Sequence, residues 1–375
     1  MRITQRLQLI KLTVLFGILV SVALSHNLWA GQRWFPKVPF LDNYNGLQAP
    51  YDYFNLIGLI GLACLALFSE SKIPTLFLIL FSAYLCIDDQ NRLQPWFFNY
   101  ILILFVLLFY KKRVDEPNNY NTVFISIQVL VALIYIFSGI QKFNSFFVKD
   151  TFIWMLSPLE SILPEKQLTL LHRIGGVVPY IEMGIGLGLL IKPLRFIAVP
   201  LVIIMHISIL LLLGPLGKSY NHVIWPWNLI MIALNILLFA NVKQERFFDV
   251  SILFKEVCFY CVLTLMLIFP LFSLNNKYDS YLSSSLYSAN THNCKLILSD
   301  KAYNQLPYYI RSFVTTNADY NILYIKNWAL TELGSPCIPE YRTFEKVYES
   351  VIMLTRTDSE NVKMEFTERE KILDF

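Results

Sequence analysis

The sequence predicts an all-α polytopic membrane protein of about nine transmembrane helices with a small C-terminal extramembrane α/β domain. Three observations carry that reading. Of 375 residues, 55% are apolar and only 15% charged, against about 25% charged in an ordinary soluble domain. The mean hydropathy is +0.50. Apolar residues gather in runs near the roughly 20 that cross a hydrocarbon core, until about residue 276, where Asn, Asp, Ser, Lys and Glu return at soluble density. A cytosolic enzyme, a secreted disulfide scaffold and a DNA-binding domain are excluded as the main reading. The net charge of +4 contains no basic run interleaved with aromatics, so the expected partner is the lipid bilayer and not nucleic acid.

Nine apolar spans are expected, at 8–30, 54–69, 73–88, 95–110, 122–142, 168–191, 196–214, 223–241 and 254–273. The first follows Arg2 and Arg6 and resembles a signal peptide, but runs on to Trp29 without a clear cleavage site; an uncleaved helix is expected. Short-loop basic residues set orientation. With the N-terminus cytoplasmic, the inner segments hold Arg2, Arg6, Lys11, Lys72, Lys111, Lys112, Arg113, Lys192, Arg195, Lys243, Arg246 and Lys255. The outer loops hold Arg33, Lys37, Arg92, Lys142, Lys149, Lys166 and Lys218, and Arg173, just inside the sixth span on the outer side, adds one without changing the sign. An odd number of spans then makes residues 1–275 a transmembrane domain of the cell (inner) membrane and 276–375 an extracytoplasmic mixed α/β domain.

In that second domain KLILS (295–299) and NILYI (321–325) read as strands, and 302–313 and 340–353 as amphipathic helices. It carries Cys294 and Cys337. An oxidising compartment permits a disulfide between them, closing a loop of about 44 residues worth about 3–4 kcal/mol; two unrelated thiols are the alternative. Cys258 and Cys261, a CxxC inside the last span, read as core cysteines.

Polar residues inside a bilayer cost free energy and so mark candidate sites. Glu182 and His206 fall near the middle of their spans, where a direct pair is expected, either structural or part of a substrate or proton path. A second group gathers at the outer helix ends: Asp88, Asp89, Arg92, Gln94, Trp96, Lys142, His172, Arg173, His222 and Trp225. Such a set reads as the rim of a shared cavity, or as an aromatic belt with an ion-paired turn. Lys142 follows a Ser-Gly pair that permits close helix packing; a desolvated lysine there is a competent general base. No Walker loop, HExxH or Cys/His metal spacing occurs, so no metal site is expected.

The string YIFSGIQKFNSFF (135–147), followed two helices on by MHISILLLLGPLGKSYNHVIWPWNLIMI (205–232), resembles the membrane domain of the vitamin K-dependent γ-carboxylase superfamily. That superfamily includes the horizontally transferred transmembrane (HTTM) proteins. The chain is also similar to DoxX-like and MauE-like membrane proteins, which share the helical pattern and a glutamate like Glu182. The resemblance covers residues 5–275 by helix order and about 50 residues by motif, on Gly139, Lys142 and His206. It implies a quinone or hydroquinone cofactor and Lys142 as the base that starts its oxidation from the outer face. Two departures stand against carboxylation of protein glutamates. The segment NRLQPWFFNY lacks the family's histidine, and about a hundred residues replace the large lumenal domain.

Three functions are therefore expected in turn. The first is an enzyme acting on a lipophilic or quinol-type substrate through Lys142. The second is a non-catalytic scaffold that docks a protein partner through its C-terminal domain. The third is a proton-coupled transporter using Glu182 and His206.

Overall fold

The computed structural model describes residues 1–31, 33–41, 51–111, 117–242, 254, 256–317 and 320–372. Lys112, Arg113, Lys243, Arg246 and Lys255, counted above as inner charges, lie outside the described residues. The first part of the chain is helical: α1 (Ile3–Leu24), α2 (His26–Trp29), α3 (Tyr51–Phe68), α4 (Ile73–Asp88), α5 (Pro95–Leu108), α6 (Pro117–Gln141), α7 (Phe152–Leu156), α8 (Glu165–Ile174), α9 (Val178–Leu190), α10 (Arg195–Leu213), α11 (Ile224–Phe239), α12 (Val257–Leu263) and α13 (Phe269–Ser273).

Three helices among the described residues are long and apolar enough to cross a membrane: Ile3–Leu24, Asn121–Gln141 and Lys192–Leu213. The pair α8 and α9 makes a fourth if taken as one span, although it bends by 51°. The sequence reading of 168–191 as one continuous span is thus corrected. Gly175 stands at the break, where a Cβ would lie 2.7 Å from the Phe152 ring, and Pro179 opens the first turn of α9. The remaining apolar helices, such as Pro95–Leu108 and Ile224–Phe239, have 10–17 residues.

Basic residues counted as orientation signals have a second use. A helix leaves its last four carbonyls without partners, which is costly away from water. Arg6 on α1 donates to Leu237 O at 2.7 Å and Ala240 O at 2.9 Å, at the end of α11. Lys11 donates to Ser69 O at 2.9 Å, just past α3. Lys72 donates to Leu108 O at 2.7 Å, and Arg195 to Leu189 O at 2.8 Å. Four cations therefore close four helix C-termini, which also suits the negative end of each helix dipole.

The C-terminal part forms a four-stranded antiparallel sheet of order β2–β3–β1–β4, with β1 (Asn293–Leu298), β2 (Val314–Thr316), β3 (Asn321–Tyr324) and β4 (Val362–Thr367). Strands β1 and β3 match the expected pair; β2 and β4 do not show in the alternation of the sequence. Four helices accompany the sheet: α14 (Asp300–Gln305), α15 (Tyr308–Arg311), α16 (Ile325–Leu333) and α17 (Tyr341–Thr355). The single helix expected over 302–313 is two short ones, because Pro307 cannot donate into a continuing helix. Strand β1 buries Cys294, Leu296 and Leu298 on one face, and α17 buries Phe344, Val347 and Val351. The buried core runs without a break from the helices into the sheet; Phe35 meets Trp328 edge-on at 5.0 Å.

Cys294 and Cys337 are both free thiols in the structure, the second of the two readings left open by the sequence. Each is enclosed in the core, and burial pushes each thiol up to about 12. The Cys294 sulfur instead faces Lys295 O at 3.9 Å.

His292, just before β1, accepts a hydrogen bond at Nδ1 from the Arg369 amide (3.1 Å). Burial first, then Arg369 and Lys326, hold its pKa down at about 4. The unfolded chain takes up this proton near pH 6.5 while the fold refuses it until about pH 4, so stability is lost as pH falls through that window. Burial and the nearby Asp279 push the Glu340 carboxyl up, which acts in the opposite sense. The expected result is that the unfolding midpoint of wild type drops more than that of His292→Gln between pH 6.5 and 4; parallel curves would remove His292 from the pH response.

Candidate functional site

Helix α6 carries Tyr135 and Ser138, and Lys142 follows directly on its last residue, Gln141; at i, i+3 and i+7 the three come to one side of the chain. That side borders a cavity of about 250 Å³. Its walls are mainly apolar, with Phe147, Phe152, Met205 and Trp227 among them, and its polar groups are few. The Lys142 ammonium donates to Glu182 Oε2 at 2.6 Å and to Ser138 Oγ at 2.7 Å, while Ser138 Oγ donates to the same carboxylate oxygen at 2.8 Å. Lys142 and Glu182 are each 6% exposed. This is a desolvated ion pair completed by a hydroxyl, which makes each partner dependent on the other.

A second polar chain runs along the cavity floor. Asn235 Nδ2 donates to Tyr135 Oη at 2.7 Å, which leaves the phenol hydrogen for His206 Nε2, 2.8 Å away. Asn228 spends its amide hydrogen on Ile224 O at 2.6 Å, so its oxygen accepts from His206 Nδ1 at 2.7 Å. A neutral His206 with its proton on Nδ1 satisfies all four bonds and the phenol hydrogen together. The expected direct pair of Glu182 with His206 is corrected: both line the cavity, but among the described residues no hydrogen bond joins them. Tyr135, on α6, and Lys142, directly after it, take the two partners instead.

One wall atom is left over. Asn99 donates to Pro95 O at 2.8 Å, but its Oδ1 is buried without a partner, and Asn99 lines the cavity. A buried unpaired acceptor costs about 1–3 kcal/mol, and a donor placed in the cavity beside it would relieve that cost. One end of the cavity is bordered by a strap of residues 281–290, which adds Ser284, Leu286 and Tyr287 to the walls. Ser284, Tyr287 and Ala289 all adopt positive φ near 60°, a strained conformation for residues with a Cβ. The strap is tied to the end of α6: Asn290 donates to Gln141 Oε1 at 3.0 Å and Asn144 to Ser288 O at 2.8 Å. The exposed Ser208 of α10 also belongs to the cavity wall.

Of the residues singled out in the sequence, Lys142, Glu182 and His206 come together here. Asp88, Asp89, Arg92 and Gln94 line no part of this cavity; they form a buried knot between α4 and α5. Arg92 pairs with Asp88 at 2.8 Å and reaches Leu28 O at 3.2 Å, and Asp89 takes Arg33 and the Val38 amide. Gln94 donates to Asn91 O and to Pro336 O, both at 2.8 Å, joining the helices to the C-terminal part. Trp96 is 4% exposed and packs on Trp29 at 6.2 Å and on Tyr100 at 6.1 Å, a core position and not an interfacial one. His222 is exposed and lies 4.6 Å from the Trp225 ring; His172 is half-buried and Arg173 exposed on α8. None of these four lines the cavity.

Sequence reasoning did not single out Tyr135, Ser138, Asn99 or the strap. The i, i+3, i+7 spacing on α6 was available as a signal for the first two. Among the described residues no group of three or more His, Cys, Asp or Glu is placed to hold a metal. Compared with protein-family models, with curated proteins and with solved structures, the chain matches none.

Proposed function

We propose that the protein is a membrane enzyme in which Lys142 acts as a base on a lipophilic, hydroxyl-bearing substrate of the quinol type. The observation that carries this reading is the Lys142–Glu182–Ser138 triangle set in the wall of an apolar cavity. A lysine paired with a carboxylate is resting as an ammonium. Passing one proton to Glu182 leaves an amine and a carboxylic acid, both neutral, an exchange whose cost is lowered where two charges are desolvated. The amine then takes the proton of a substrate hydroxyl, and the resulting oxyanion faces the ammonium that formed it. Ser138 holds both partners at hydrogen-bond distance through the exchange.

The residues present suit a hydroquinone. Trp227, Phe147 and Phe152 offer ring faces, and Asn99 Oδ1 offers an acceptor for a second hydroxyl. When bound, such a group would supply reducing equivalents. Membership of the γ-carboxylase-like and HTTM group, with kinship to DoxX-like and MauE-like proteins, belongs to the same proposal and is supported by Lys142 and His206 bordering one cavity. So does the nine-span topology, with the N-terminus cytoplasmic and a C-terminal domain (276–375) outside. It is supported by the basic residues that cap α3, α5, α9 and α11, which all fall at one end of the alternating helices. Carboxylation of protein glutamates is not part of the proposal.

The test is mass spectrometry of small molecules extracted from the purified protein, wild type beside Lys142→Arg and Lys142→Ala. Arginine keeps the pair with Glu182 but does not give up its proton. The expected result is one lipophile enriched in wild type and in Lys142→Arg, lost in Lys142→Ala, and converted only by wild type. If no lipophile is enriched in any of the three, the enzyme reading falls and the scaffold with a protein partner at 276–375 replaces it.

A further inference from the structure

A second concavity lies at the opposite end of the helices. It encloses about 500 Å³ between the start of α1, the α3–α4 turn and the end of α5. We propose that it binds the phosphate headgroup of an anionic phospholipid in the inner leaflet; the leaflet, though not the headgroup chemistry, rests on the topology proposed above.

Four features meet there. Lys11 and Lys72 both line the concavity. Each ammonium has three N–H donors; Lys11 spends one on Ser69 O, and Lys72 spends two, on Leu108 O and Tyr110 O. Three donors remain, and neither lysine is in an ion pair with a carboxylate among the described residues. Glu70, on the same rim, already has a partner. The N-terminus of the 16-residue helix α4 opens on this rim, and the positive end of a helix favours an anion. Thr75, one turn into α4, is a wall residue 3% exposed whose Oγ1 is buried without a partner. A phosphate oxygen is the acceptor these donors lack.

The surroundings decide between a lipid headgroup and a free phosphate. Phe68, 86% exposed, is part of the wall, and Ile73, 62% exposed, follows directly on Lys72. Water does not favour such a rim, whereas acyl chains continuing from a bound headgroup would cover it.

The experiment uses the detergent-purified full chain, incubated with phosphatidylglycerol or with phosphatidylcholine of the same acyl chains, and read by native mass spectrometry. Retention of phosphatidylglycerol is expected to exceed that of phosphatidylcholine about tenfold or more, and to fall about fivefold for each of Lys11→Gln and Lys72→Gln. Because these lysines also cap helices, Lys11→Arg and Lys72→Arg serve as folding controls and should keep the selectivity. Thr75→Val leaves both lysines in place and should weaken retention. Equal retention of the two lipids, or selectivity untouched in Lys11→Gln/Lys72→Gln and in Thr75→Val, overturns the site. Displacement by excess inorganic phosphate overturns the lipid as its source. Thiol labelling of Ser71→Cys in intact cells is expected only from the inside. Labelling from outside overturns the topology and the leaflet assigned, a failure separate from that of the headgroup selectivity measured in detergent.

Discussion

Lys142→Met is expected to lower the stability of the protein by about 3–5 kcal/mol, the cost of leaving one member of a buried ion pair uncompensated. Glu182 is 6% exposed and depends on Lys142 and Ser138 for its hydrogen bonds. The double variant Lys142→Met/Glu182→Met should recover most of that loss, because apolar side chains of similar volume do without the desolvation penalty. Denaturant unfolding in micelles, run on the two single variants and the double, isolates the coupling. If the double is as unstable as Lys142→Met alone, the loss comes from packing and the pair is not the source. Ligand conversion should be absent in all three, and absent too in Lys142→Arg, which keeps the charge. Stability and activity are thereby separated at one residue.

The second large effect is expected at the contact of α6 with α9. A Cβ on Gly139 would lie 2.6 Å from Pro179 O and 2.7 Å from the Met183 amide nitrogen. One on Gly186 would lie 2.7 Å from Ala132 O and 2.9 Å from the Ile136 amide nitrogen. These are backbone atoms, which cannot rotate aside, so Gly139→Ala or Gly186→Ala must push the two helices apart. Small residues serve this close approach in membrane helices. The cost should be about 1–3 kcal/mol. The larger effect is on the site, since Ser138 rides on α6, Lys142 follows directly on its end, and Glu182 rides on α9. A shift near 1 Å opens their bonds, and activity is expected to fall about a hundredfold. Gly184→Ala is the control: nothing lies within 4 Å of its added Cβ, so it should keep activity and gain about 0.5–1 kcal/mol from helix propensity. Equal activity losses at Gly184 and Gly186 would show that α9 tolerates no alanine, and would detach the effect from the helix contact.

Much of the helical part was legible in the chain itself. The runs 73–88 and 95–110 coincide closely with Ile73–Asp88 and Pro95–Leu108, because apolar runs bounded by Lys72, Asp89 and Pro95 are local signals. Lys142, Glu182 and His206 stood out as candidates for a similarly local reason: each is a polar group where apolar ones are cheaper. Strands β2 and β4 were not, since three residues of β2 carry almost no alternation and β4 gains its partner only when β1 lies beside it.

What the sequence by itself determined is thus where helices run and which residues are costly to bury. The tertiary structure decided how those costs are met. Glu182 pairs with Lys142, forty positions away, and not with His206 across the short turn; Asp88, Asp89 and Arg92 satisfy one another and an upstream segment instead of lining the cavity. Periodicity is a property of neighbours along the chain, whereas the partner of a buried charge is set by which helices the glycines allow to touch.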